Sequence, residues 1–286
     1  MKIIDSHQHF WDLSRFDYKW MGADSPLRVN RLPGELRSLM NDTDVEYTVL
    51  VQAHSSIEET CWLLEIANQE NFVLGVTGWV DLTDPKVGNV LDHLQKNKYL
   101  KGIRHIWEDE PDPSWLFTSG AVKGLKEVQR RDLIYEFLVR PANLKYIPRI
   151  IEQVPDLRAV VDHIAKPEIS DKKKEPWLSD FKDVAKCGDL FCKISGLVTE
   201  ADHLTWSLED LKPYVDDVLE LFDYDRLMFG TDWPVCTLAA SYESVVQTSQ
   251  GLLNDVSEGG KASILRDTAI NFYRLDIPKE GLGHSV

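Results

Sequence analysis

Apolar positions along this chain follow two alternating periods. Short runs rich in β-branched residues occupy residues 3–10, 47–53, 73–82, 100–106, 133–139, 158–164, 190–197 and 226–233. Most are continuously apolar, the pattern of parallel strands covered on both faces. Between them the spacing changes to three and four. In residues 57–69, Ile57, Cys61, Leu64 and Ala67 share one stripe, leaving Glu58, Glu59 and Glu65 for solvent. In residues 207–222 the stripe is Leu208, Leu211, Val215, Val218, Leu219 and Phe222. Further helical patterns lie at 87–95, 120–131, 148–154, 177–185 and 242–253. Strand alternating with helix in this way predicts an α/β fold, a (β/α)8 TIM barrel. The alternative is an open doubly wound sheet, but no Gly-rich phosphate loop follows any strand.

Residues 12–44 break the rhythm. The segment is long and aromatic and contains Pro26 and Pro33 as well as Trp20. It reads as an elaborated first βα loop over the barrel mouth. Residues 257–272 read as one more helix, followed by an irregular end that holds His284. No repeat longer than the βα unit and no linker is visible, so residues 1–286 read as a single domain.

The 286-residue length suits one barrel of this kind. A formal net charge of −15 repels nucleic acid and anionic membrane, so neither is expected as a partner. Four scattered cysteines form no C-x-x-C pair and read as thiols in a reducing compartment. No apolar leader precedes the first strand and no run is long enough to span a bilayer, which points to the cytoplasm. Assembly into a homo-oligomer is left open.

Chemistry in such barrels gathers at the C-terminal ends of the strands. His7 and His9 close strand one, and positions i and i+2 share a face. Two imidazoles in one space hold a metal or polarise a substrate oxygen. Arg104 lies near the end of strand four, His163 near the end of strand six, and Asp232 at the end of strand eight. Strands one and eight are neighbours in a closed barrel, so Asp232 is expected beside the histidine pair. Each of these residues alone has an ordinary structural use, and their convergence is the signal. Alternation places Asp162 away from the lumen and His105 toward the helix layer. Trp11, Trp107 and Trp233 follow strand ends and are candidate stacking surfaces for a sugar ring. His54, at the end of strand two, is a further candidate substrate contact.

Asp5-Ser6-His7-Gln8-His9-Phe10-Trp11, Gln52 with Glu59-Thr60, Gly78-Trp79-Val80-Asp81, Gly102-Ile103-Arg104-His105, Asp162-His163-Ile164-Ala165-Lys166-Pro167, Lys193-Ile194-Ser195-Gly196-Leu197 and Phe229-Gly230-Thr231-Asp232-Trp233-Pro234-Val235 together resemble the amidohydrolase superfamily. The resemblance is to its branch of sugar-lactone hydrolases, of the L-fuconolactone and L-rhamnonolactone type. It implies a distorted barrel, a small-molecule sugar lactone as substrate, and hydrolysis at its carbonyl. Asp232 would be the general base, and Arg104 with His7, His9 or His163 would stabilise the oxyanion. Metal-dependent members of the superfamily usually carry a ligand histidine on strand five, where this chain has Ile134-Tyr135-Glu136-Phe137-Leu138-Val139. The branch includes members that work without metal, so no cofactor is expected. If one divalent ion, zinc or manganese, is bound, its ligands are His7, His9 and Asp232. The alternatives are a mononuclear metal-dependent hydrolase or decarboxylase of a small carboxylated substrate, and a catalytically inert barrel that binds a sugar acid.

Overall fold

The computed structural model describes residues 1–278. The eight apolar runs form β1 (Ile3–Gln8), β2 (Val45–Val51), β3 (Val73–Gly78), β4 (Leu100–Ile106), β5 (Ile134–Leu138), β6 (Ala159–Val161), β7 (Leu190–Ile194) and β8 (Leu227–Phe229). They make one sheet in chain order. Neighbours pair in parallel from β1 through β8. The helices Ile57–Gln69 and Trp177–Ala185 fall where the spacing puts them. Ser56 starts the first of these, its side chain accepting from Glu59 N.

Closure between β1 and β8 is irregular. One isolated bridge joins Gln8 to Trp233. Asp232 N donates to His7 O at 2.8 Å, and His9 N to Trp233 O at 2.7 Å. Ser6 Oγ donates to Phe229 O at 2.6 Å. Gly230 makes the approach possible, because a Cβ there would lie 2.6 Å from the Cβ of His7. Asp5 staples the seam: its carboxylate accepts from Thr231 N at 2.9 Å, Thr231 Oγ1 at 2.5 Å and His7 N at 3.1 Å. Side chains supplement a sparse backbone ladder, and the same stitches bring His7, His9 and Asp232 together.

Ile4, Val49, Leu74, Ile134, Val160 and Met228 fill the lower lumen, against Phe272 and Tyr273 of the last helix. That last stretch runs as Glu258–Ala262, a π-helical Ser263–Asp267 and Thr268–Tyr273, where the sequence suggested one uniform helix. His284 lies outside the described residues. The first βα loop packs a small core, Trp11, Tyr18, Met21 and Leu27, against Ala53 from the turn after β2. It also contains a helix, Pro33–Met40, that the loop reading missed, with Pro33 in its first turn. Glu59 is buried, contrary to its expected solvent position. Its carboxylate accepts from Ala53 N at 3.1 Å and His54 N at 2.8 Å, which shapes the turn after β2. Among the described residues no helix is long and apolar enough to cross a membrane.

Candidate active site

A cavity of about 260 Å³ opens at the C-terminal ends of the strands. His9, Arg104, His163 and Asp232 line its base. His7 lies beneath them, fully buried. Asp232 Oδ1 stands 3.3 Å from His9 Nε2, 3.8 Å from His7 Nε2 and 3.8 Å from His163 Nε2. The His7 ring centroid is 4.9 Å from that of His9 and 4.4 Å from that of His163. Arg104 Nη1 is 3.2 Å from His7 Nε2 and 3.2 Å from Asp162 Oδ2, while Nη2 donates to the Gln52 carbonyl. Four residues spread from position 7 to position 163 thus gather around the carboxylate of Asp232.

The route by which His163 reaches the lumen is not simple strand alternation. Val160 packs in the lower lumen, so Asp162 shares its face and points inward. The expectation that Asp162 faces away is therefore wrong in parity. His163, Ile164, Ala165 and Lys166 then all have positive φ, at 55°, 46°, 63° and 49°. This left-handed turn swings His163 inward as well and carries Lys166 to the cavity wall. The conformation is costly for a β-branched residue such as Ile164. Lys166 N donates to His163 O at 2.8 Å, and Trp177 Nε1 to Ile164 O at 2.7 Å. Gly196 leaves the space, since a Cβ there would sit 2.6 Å from His163 Nδ1.

Below the base lies a dry layer of charge that the sequence reading did not single out. Lys193 Nζ contacts Glu136 Oε2 at 2.7 Å, His7 Nδ1 at 3.0 Å and Asp162 Oδ1 at 3.1 Å. Glu136 Oε1 accepts from Thr77 Oγ1 at 2.7 Å and Tyr273 OH at 2.5 Å. All these residues are buried. The available signal was a charged residue in the middle of an apolar strand run, at Glu136 and at Lys193. Burial, and then the Lys193 charge, push the His7 imidazole well below its ordinary range. His163 is lowered in the same way by burial and then by His7. Both rings are therefore neutral at neutral pH. Burial alone would raise Asp162, but the Lys193 and Arg104 charges together outweigh it and hold the carboxyl low.

Residues 4–275 match the model of the amidohydrolase family. The chain belongs to this family. It is 32% identical, over 97% of both chains, to an L-fucono-1,5-lactonase of Burkholderia multivorans. It is 23% identical to an L-rhamnono-gamma-lactonase of Scheffersomyces stipitis, over 96% of this chain and 99% of that one. A crystal structure of a Burkholderia multivorans amidohydrolase with bound zinc superposes with a TM-score of 0.91 at 32% identity, covering 96% of this chain and all of that one.

The cavity of this amidohydrolase has two unlike walls. Trp20, Ala53 and Val235 form one, and Glu108, Asp109, Arg140 and Lys166 belong to the other. Lys166 Nζ pairs with Glu108 Oε1 at 2.7 Å. The aromatic surface is Trp20, whose Nε1 donates to Ala53 O at 2.8 Å. Trp11, Trp107 and Trp233 are buried and do not line the cavity. Trp11 is locked in the loop core, its Nε1 donating to Val29 O at 2.7 Å. Trp107 packs beside Phe137 and Tyr146, and Trp233 lies edge-on to Phe10. Apolar burial claims rings at these positions before any ligand does. His54 packs against Tyr18 and Phe16, and its neighbour Ala53 reaches the cavity in its place. His105 stands in the helix layer as expected, stacked on Trp115 at 4.1 Å.

Ligand spacing in this site admits one divalent ion. Among the described residues, two groups of three ligand atoms lie within 4.8 Å of one another: His7, His9 and Asp232, and His7, Asp162 and His163. His9 is prepared as metal-bound histidines are, because its Nδ1 lies 2.8 Å from the Val51 carbonyl, leaving the Nε2 lone pair free. His7 is not. The nearest neighbours of its two nitrogens are Lys193 and Arg104, both donors only, with the Asp162 carboxylate farther off, 3.4 Å from Nδ1. Both groups need His7, so the spacing fits an ion and the hydrogen bonding at His7 does not.

The Asp5 staple makes stability depend on pH. Burial pushes this carboxyl up from 3.8 to about 7, against the hydrogen bonds from Thr231 and His7 that lower it. A folded value above the unfolded one means that folding takes up a proton. That contribution is complete below about pH 4 and is lost as pH rises through about 7. Urea unfolding is expected to show a shallower loss of stability across this window in Asp5→Asn than in the parent protein. An unchanged slope would reject the assignment to Asp5.

Proposed function

We propose that this amidohydrolase hydrolyses a sugar lactone to the sugar acid, with Asp232 as general base. The observation that carries the reading is the single carboxylate oxygen facing three imidazole nitrogens, with Arg104 beside them, at the base of a small cavity. The lactonase relatives support the choice of substrate class. So does the charge of −15, which suits a neutral polyhydroxylated molecule better than an anion.

Water held at Asp232 gives a proton to the carboxylate as its oxygen bonds to the ring carbonyl carbon. The carbonyl π electrons move to oxygen, and Arg104 with an imidazole N–H of His7 or His163 stabilises the charge that develops. When the tetrahedral centre collapses, the ring C–O bond breaks and Asp232 returns its proton to the departing ring oxygen. The product is a hydroxy acid. Lactones are activated esters, and the chain's own cations and donors suffice in this scheme. Trp20 offers a face for the C–H side of the sugar.

The test is a panel of five- and six-membered aldonolactones, with acid release followed by a pH indicator in the presence and absence of EDTA. Release from at least one L-sugar lactone that persists in chelator is the expected result. Failure with every lactone rejects the substrate class. Activity lost in chelator and restored by zinc or manganese rejects the metal-free scheme and keeps the substrate.

A further inference from the structure

Lys193 reaches His7 from below, in the fully buried part of the lumen. A neutral imidazole has one lone pair, and two cationic donors compete for that of His7: Lys193 Nζ at 3.0 Å from Nδ1 and Arg104 Nη1 at 3.2 Å from Nε2. Their alternatives differ. Arg104 lines the cavity, so its guanidinium has room to shift and aim at water or substrate an Nη1 hydrogen that His7 does not accept. Lys193 is completely buried. Its three ammonium hydrogens have three neighbours to use, Glu136 Oε2, Asp162 Oδ1 and His7 Nδ1. Without His7 one of them is left unsatisfied in a dry site, which is the costlier arrangement.

We propose that Lys193 is a positioning residue, which occupies the Nδ1 lone pair of His7 and thereby places the imidazole proton on Nε2, pointing up at Asp232 and the reacting carbonyl. His7 is then a hydrogen-bond donor to the developing oxyanion and has no lone pair on Nε2 for an ion. The same buried contact decides between the two uses that the spacing of the site allows. The catalytic part of this inference rests on the lactonase reading, and the tautomer does not.

The tautomer is read directly from the two-bond and three-bond 15N–1H correlations of the His7 ring in the free protein, assigned by their loss in His7→Gln. A proton on Nε2 is expected, and a proton on Nδ1 overturns the proposal. Lys193→Met alone strands the Glu136 carboxylate, so the second measurement uses Lys193→Met in a Glu136→Gln background, with Glu136→Gln as its parent. Removing Lys193 is expected to shift the His7 proton toward Nδ1, where Asp162 Oδ1 lies 3.4 Å away. A ring that keeps the Nε2 proton removes Lys193 as the cause. In the same background, Lys193→Met and His7→Gln are each expected to lower kcat on the order of 10²-fold, with KM within about twofold. Combined, they fall no further than His7→Gln alone, because the two residues act through one hydrogen. Multiplying losses would mean that Lys193 only supports the fold. A protein that turns over no lactone fails the functional reading, while the ring correlations still test the tautomer.

Discussion

Asp232→Asn is expected to lower kcat for the best lactone by on the order of 10²–10⁴-fold, with an unchanged circular dichroism spectrum and thermal midpoint. The amide keeps the shape of the carboxylate but cannot take a proton from water. The backbone around it is held independently, by Asp232 N on His7 O and by the Asp5–Thr231 hydrogen bonds. The fold should therefore survive the change. The defect belongs in kcat, because the substituted group acts on water and on the departing oxygen and makes little difference to ground-state binding. Retained turnover would remove Asp232 as the base and leave His9 or His163 to be tested in that role.

Glu136→Gln is expected to destabilise the protein by about 3–5 kcal/mol, the usual cost of breaking a fully buried ion pair from one side. The amide oxygen still accepts from Thr77 and Tyr273, so the loss isolates the charge that Lys193 needs. Adding Lys193→Met should recover most of that loss. Replacing both members of a buried pair removes the desolvation cost along with the attraction. Urea unfolding of the two single variants and the double variant forms the cycle. A double variant as unstable as the sum of the singles would mean that the pair is not one energetic unit.

Particular residues show how far sequence reasoning reached. The eight runs gave the strands, and the seam between β1 and β8 put Asp232 beside His7 and His9, because covalent order and barrel closure are both readable from period. Parity failed at Asp162, where a three-residue strand ends and a left-handed turn begins. Such a turn in Ile164 and Ala165 has no glycine to announce it; it persists because Trp177 and Gly196 accommodate it from other elements. The aromatic candidates failed for a related reason. A tryptophan after a strand end faces either the helix layer or the mouth, and local spacing is the same for both. Trp20, inside the long first loop, was passed over because only the fold of that loop brings it over the cavity.

The order of apolar runs alone determined the barrel, the end at which chemistry gathers and most of the residues now found around Asp232. Those are consequences of periodicity, which every chain carries locally. The charged layer under His7, the inward turn at His163 and the identity of the cavity walls were decided only in three dimensions. Each depends on which groups are excluded from water together, and that is a property of residues distant in the chain.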